Sequence, residues 1–167
     1  MAFDTYLKIE GCPGESTHEK HKGEIEILSW SFGSSNPSTV GPGSEGSGAG
    51  RVTISSFNFM KKVDKSSPDM FMKCCTGTHY PSAIVTMNKA TGGTTGDTQK
   101  PFLTFTFQEV FVDSIQWSGS TGGDDMPTES VSFSFGQVKV MYQKQDKSGS
   151  VGNPVFGGWD IQKVKPV

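Results

Sequence analysis

The sequence predicts a mainly β protein: an antiparallel β-barrel of two curled sheets, or a tight sandwich, with one short helix at its flank. Three observations carry that reading. Long segments alternate apolar and polar residues with the period of a half-buried strand. Two of them switch parity part-way, at Ser55-Ser56 and at Gly136, as a strand does where it bulges or bends so that a sheet can curl toward closure. One stretch, Lys62 to Pro81, abandons alternation for a helical pattern.

In chain order, "FDTYLKIE" (Phe3 to Glu10) and "EIEILSWSF" (Glu24 to Phe32) alternate cleanly. "RVTISSFNFM" puts Val52 and Ile54 on one parity and Phe57 and Phe59 on the other. In the helical stretch Ser67 is placed as N-cap, Pro68 fits the first helical position and Asp69 suits the positive end. Met70, Phe71, Cys74 and Cys75 follow, and Gly77 is placed to stop the helix, giving a span of about 67–76. So short a helix is marginal alone and must be held by packing. "AIVTMNKA" and "PFLTFTFQEVFVDSIQW" are further strands. "SVSFSFGQVKVMYQ" puts Val131, Phe133 and Phe135 on one face, then Val138, Val140 and Tyr142; "WDIQKVK" reads as the last strand.

The 167 residues form one predicted domain, 1–167, large enough to bury about 70% of its unfolded surface. A net charge of −2 with scattered lysines argues against nucleic acid as a partner. No apolar run is long enough to span a bilayer, so membrane insertion is not expected. "MAFDTYLKIEGCPG" lacks a basic n-region followed by an apolar h-region, so the expectation is no signal peptide, folding in the cytoplasm, and any export by a route that reads no N-terminal signal.

Catalytic and metal chemistry finds little support. Cys12, Cys74 and Cys75 are odd in number and have no CxxC spacing; adjacent helical residues point about 100° apart, so Cys74 and Cys75 are placed to pack rather than chelate. His18 and His21 lie in a glycine-bearing segment without an HExxH pattern and read as polar loop residues. Asp124, Asp125 and Glu129 lack the spacing of an EF-hand and read as a solvated turn leading into a strand. No serine sits in GxSxG, and His79 has no acid or nucleophile beside it. No enzyme activity, metal or cofactor is therefore expected.

Two features point elsewhere. "GSSNPSTVGPGSEGSGAG", Gly33 to Gly50, is an eighteen-residue loop with almost nothing to bury. As a flexible coil it spans roughly 23 Å, enough to reach a neighbouring molecule. The second is the polar parity of two strands: Ser130, Ser132 and Ser134, and Thr104, Thr106 and Gln108. A strip of small neutral polar groups suits a lumen or a subunit seam as well as an ordinary solvated face.

"MAFDTYLKIEGCPGEST", "KHKGEIEILSWSFG", "VDKSSPDMFMKCCTG", "GGDDMPTESVSFSFGQVKVMYQKQ" and "GGWDIQ", in that order, resemble the haemolysin-coregulated protein family of bacterial type VI secretion. The resemblance implies a β-barrel with a flanking helix, similar to phage tail-tube proteins. It implies a homo-hexameric ring that stacks into a tube and is secreted to the cell exterior. It also implies a bore that holds effector proteins, with the spike and sheath of the secretion system as further partners. On that reading the loop residues Ser35, Asn36, Val40, Pro42 and Glu45 are candidates for a subunit or ring interface. Asp69, Met70, Met72 and Lys73 are candidates on the helix, and Thr104, Thr106, Ser132 and Ser134 are candidates to face the lumen. The alternative is a monomeric barrel or jelly-roll that binds a small ligand or carbohydrate, with Trp30, Trp117 and Trp159 available for stacking; it predicts a concave aromatic pocket.

Overall fold

The computed structural model of the chain describes residues 3–37, 50–89, 100–123, 126–146 and 150–167. The strands are β1 (Phe3–Ile9), β2 (Ile25–Ile27), β3 (Ser29–Ser31), β4 (Ser34–Ser35), β5 (Thr53–Ile54) and β6 (Phe57–Lys62), then α1 (Ser67–Thr76). After the helix come β7 (Tyr80–Lys89), β8 (Pro101–Ser118), β9 (Thr128–Tyr142), β10 (Val155–Asp160) and β11 (Lys165–Pro166). Mainly β structure with one helix and antiparallel pairing is what the alternation predicted.

The two curled sheets expected from the sequence are, among the described residues, one nine-stranded sheet and a two-stranded ribbon, β4 with β5. The path runs β11-β10-β9-β8-β7-β1-β2. β9 is long enough to take two partners on its outer edge: β6 pairs with Phe133 to Thr128, and β10 with Gln137 to Tyr142. β3 adds to β6. Three strand readings are corrected. "EIEILSWSF" is two strands because Leu28, between them, turns its N–H to Met60 O (2.8 Å) and changes partner from β1 to β6. The Ser55-Ser56 switch is likewise a break between β5 and β6, which pair with different strands. "WDIQKVK" is the end of β10, a turn and the short β11, with Val164 at φ +53° in the turn.

The switch at Gly136 lies inside one continuous strand, and β8 switches with it. Phe105 and Phe107 are buried before it, Val110 and Val112 after it, as Phe135 and Val138 are on β9. Glu109, which faces Gly136 between the Gln108–Gln137 and Val110–Phe135 pairs, takes φ +53°. A Cβ on residue 136 would lie 2.6 Å from Glu109 Oε2, so glycine makes room for that side chain. The kink keeps one face of both strands on the core through a bend.

The core is aromatic. Phe57, Phe107, Phe133 and Phe135 pack with ring centroids as close as 4.6 Å, and Trp30 and Phe32 close over them. Charge enters at one end, where Lys61 continues the buried parity of Phe57 and Phe59, and Glu129 that of Val131 and Phe133. Both are fully buried and paired. Lys61 Nζ also bonds Asp64 Oδ1 (2.8 Å) and Ser67 Oγ (3.1 Å), while Glu129 accepts from Ser67 Oγ (2.7 Å) and Trp117 Nε1 (2.5 Å). Ser67 is thus spent on the ion pair; the N-cap position falls on Ser66, whose hydroxyl bonds Asp64 instead of the helix. The predicted stop holds: Gly77 is left-handed and its N–H bonds Lys73 O (3.0 Å).

Candidate assembly surfaces

The four lumen candidates lie on the face of the β8–β9 pair turned from the core, each half-buried. They form two patches rather than one strip, because the kink at Glu109 and Gly136 separates them. Thr104 sits between Thr86 and Met141, and Thr106 between Ile84 and Lys139. Ser132 sits between Asn58 and Ser114, bonding the Ser114 hydroxyl at 2.7 Å. Ser134 donates to Asp113 Oδ1 (2.8 Å), whose other oxygen accepts from Ser56 Oγ (2.8 Å). Much of this surface is hydroxyl and amide, with Lys139, Glu109 and Asp113 among its charges, Phe111 near Asp113 and Met141 beyond Lys139.

Helix α1 lies along β8. Of its four candidates, Met70 is fully buried in the core, so its side chain does not belong to the outer face. The 3.6-residue period turns it inward while Met72, two positions on, is 55% exposed. Asp69 accepts from the Tyr80 hydroxyl (2.5 Å), and Lys73 Nζ stands 5.3 Å over the Tyr80 ring, so both are partly committed within the chain. Phe71, itself exposed, rests on Trp117 (5.3 Å). The cysteines are dispersed: Cys12 is in the core, Cys74 Sγ lies 3.7 Å from Asp113 O, and Cys75 is exposed. Burial pushes the Cys12 thiol up to about 11. The Tyr80 hydroxyl is raised well above its ordinary value, by burial first and then by Asp69.

Of the loop candidates, Ser35 ends β4 opposite Thr53 and Asn36 is exposed beyond it. Val40, Pro42 and Glu45 lie outside the described residues, as do Asp124 and Asp125. His18 and His21 have a packing role that sequence reasoning missed. His18 and the short 3-10 turn that it caps, Glu19–His21, fold over β1. The His21 ring stacks on Tyr6 at 4.3 Å, with Nδ1 2.8 Å from Glu24 Oε2 and Nε2 2.7 Å from Asn88 Nδ2. Tyr6 is buried on the outer face by this cover.

The tryptophans do not share a pocket. Trp30 stacks on Phe57 in the core, Trp117 lies under the helix and bonds Glu129, and Trp159 packs on the core from β10. Among the described residues no three His, Cys, Asp or Glu side chains are grouped to hold a metal. No helix there is long and apolar enough to cross a membrane, which says nothing of strands.

Comparison with known proteins is unequivocal at the family level. Residues 6–142 match the family model described as type VI secretion system effector, Hcp. Protein hcp1 of Pseudomonas aeruginosa is 42% identical over 164 residues, covering 98% of each chain. A solved structure described as a type six secretion system protein superposes with a TM-score of 0.91 at 32% identity, covering 99% of this chain and 100% of that one. Hcp1 from Salmonella typhimurium superposes with a TM-score of 0.81 at 35% identity over the whole of both chains.

Proposed function

We propose a detailed tube-forming role from one premise: this chain belongs to the Hcp family of type VI secretion proteins. It is a secreted structural tube protein of that system. The finer reading is that six copies form a ring, that rings stack into a tube, and that effector proteins travel in its bore. Assembly takes place in the bacterial cytoplasm, and the spike and sheath are the tube's partners. The chain itself performs no catalysis on this reading.

Within the subunit we infer that the sheet closes as a barrel. Support comes from β2 pairing with β1, β3 pairing with β6, and the Leu28 N–H to Met60 O bond that carries the ladder across the junction. Closure would remove the free edges that a nine-stranded open sheet presents. The helix would seal one end over the Lys61–Glu129 pair and offer Asp69, Met72 and Lys73 to a neighbour. Ser35 and Asn36 lead into the loop whose Val40, Pro42 and Glu45 would reach an adjacent subunit or ring. Thr104, Thr106, Ser132 and Ser134 would line the bore.

The observation that carries the reading is the hydroxyl-rich outer face of β8 and β9, which has few charges to hold a passing protein. The dispersal of the three tryptophans weighs against the ligand-binding alternative. Analytical ultracentrifugation with negative-stain microscopy tests the proposal: hexamers and annular particles are expected, and monomers across a wide concentration range would overturn it.

A further inference from the structure

A groove of about 350 Å³ opens between β2, the end of β6 and the residues before β9. Leu28, Val63 and Met126 supply its apolar lining, and Glu15, Glu26 and Asp64 outnumber Lys62 on its rim. Leu28 and Met126 are 57% and 46% exposed, a large apolar surface left to water. Asp64 is engaged by Lys61, and Glu15 Oε1 accepts the Lys65 N–H at 3.1 Å. Glu26 is exposed beside them.

Further along β9, beside Gly136 and Gln137, the β10–β11 turn has the complementary chemistry. Val164 is exposed between Lys163 and Lys165, both exposed, and Val167 follows. A β-branched residue at φ +53° is strained, and the turn is pinned by the Lys163 N–H to Asp160 Oδ1 bond (2.8 Å) and the Trp159–Pro166 pairing. The result is a firm turn that presents the exposed part of Val164, whose other side lines a hollow with Val52, Ile54 and Trp159, between two cations.

We propose that the groove receives this turn from a second copy of the chain, Val164 against Leu28 and Met126, with Lys163 and Lys165 facing Glu26 and Glu15. The proposal rests on the tube reading and adds a specific contact to it. The groove adjoins Thr128, while the turn follows the strand paired with Gln137, nine residues further along β9. That separation is on the order of 30 Å of strand, so the turn does not reach the groove of its own chain. Two different patches that meet between copies make a head-to-tail contact, which closes as a ring or propagates as a stack. The opposite charges set its polarity and keep each patch from pairing with itself.

The test is disulfide trapping in a Cys74→Ser/Cys75→Ser background, with Cys12 left in the core. Leu28→Cys and Val164→Cys proteins are mixed and oxidised, and sedimentation is recorded before oxidation. A mixed dimer is expected from the pair and from neither variant alone. Lys163→Glu/Lys165→Glu should lower its yield about tenfold or more, and adding Glu26→Lys should restore it. Hexamers that give no mixed dimer, or a dimer indifferent to the charge reversal, would overturn the contact while leaving the tube reading intact. A Leu28→Cys homodimer in its place would mean that the groove pairs with itself. Monomers alone in the sedimentation record would remove both.

Discussion

Lys61 and Glu129 form a fully buried ion pair where the last residue but one of β6 meets the second residue of β9. Ser67 and Trp117 complete the shell of the carboxylate, and through Ser67 the pair ties the first turn of the helix to the sheet. Such a pair costs much desolvation, and removing one partner strands the other charge. Glu129→Ala or Lys61→Ala should therefore each destabilise by about 3–5 kcal/mol in urea unfolding. Lys61→Met combined with Glu129→Leu should recover a large part of that loss. If the double variant is no better than the singles, the pair is not the source of the cost.

Phe133 touches Phe57 at 5.2 Å and Phe107 at 5.1 Å and is 1% exposed. Phe133→Ala should cost about 3–5 kcal/mol, the range for a buried aromatic that leaves a cavity. Ser132→Ala, one residue away on the outer face, should change stability by less than about 1 kcal/mol. Equal effects at the two positions would mean that the strand is inside out.

The thiols should separate by exposure. A thiol reagent at mildly alkaline pH should modify Cys75 first and Cys74 more slowly, leaving Cys12 until the chain unfolds. The Cys12 thiol is raised from 9.0 to about 11, chiefly by burial, and the Tyr80 hydroxyl is raised as well. The unfolded chain then loses these protons at lower pH than the folded one. The Cys12 contribution to stability is complete below pH 9.0 and is lost as pH rises through about 11, whereas that of Tyr80 is complete below pH 10.0 and starts to be lost only above it. Urea midpoints should fall over that window, and Cys12→Ala should flatten the fall. A midpoint that rises with pH there would contradict the assignment.

Deleting Ser35 to Ser47 removes one residue of the β4–β5 ribbon and most of the connecting segment, while the phenylalanine core loses nothing. The variant should keep its near-ultraviolet circular dichroism and lose ring stacking or subunit contact in negative-stain images. Normal tubes would reduce the segment to a linker.

Gly136→Ala should push the Glu109 carboxylate from its place and break its bond with Gln162, which is 2.9 Å in the native chain. A loss of about 1–2 kcal/mol is expected if the strand bend depends on that glycine. Glu109→Gly, which relieves φ +53°, should partly offset it.

The legible part of this protein was its local pattern. Alternation located the long strands, the break in alternation located the helix, and Gly77 marked its end, because each is set by neighbours within a few residues. The Gly136 switch was legible for the same reason. Two further signals stood in the sequence unused: Lys61 falls in phase with Phe57 and Phe59, and Glu129 with Val131 and Phe133, so both charges lie on buried parity. Met70 was misplaced as a surface candidate because a short helix of mixed residues does not by itself say which side the sheet covers.

What the sequence determined alone is the long strands with their inward faces and the position of the helix, since these follow from a period of two or of about 3.6 along one segment. Which strands meet was decided only in three dimensions. Leu28 and the Ser55-Ser56 step look like continuous strand until β1, β6 and β9 compete for the same backbone groups, and Tyr6 looks exposed until the histidine turn folds over it. Pairing and cover are contacts between residues distant in the chain, and no period along a single segment encodes them.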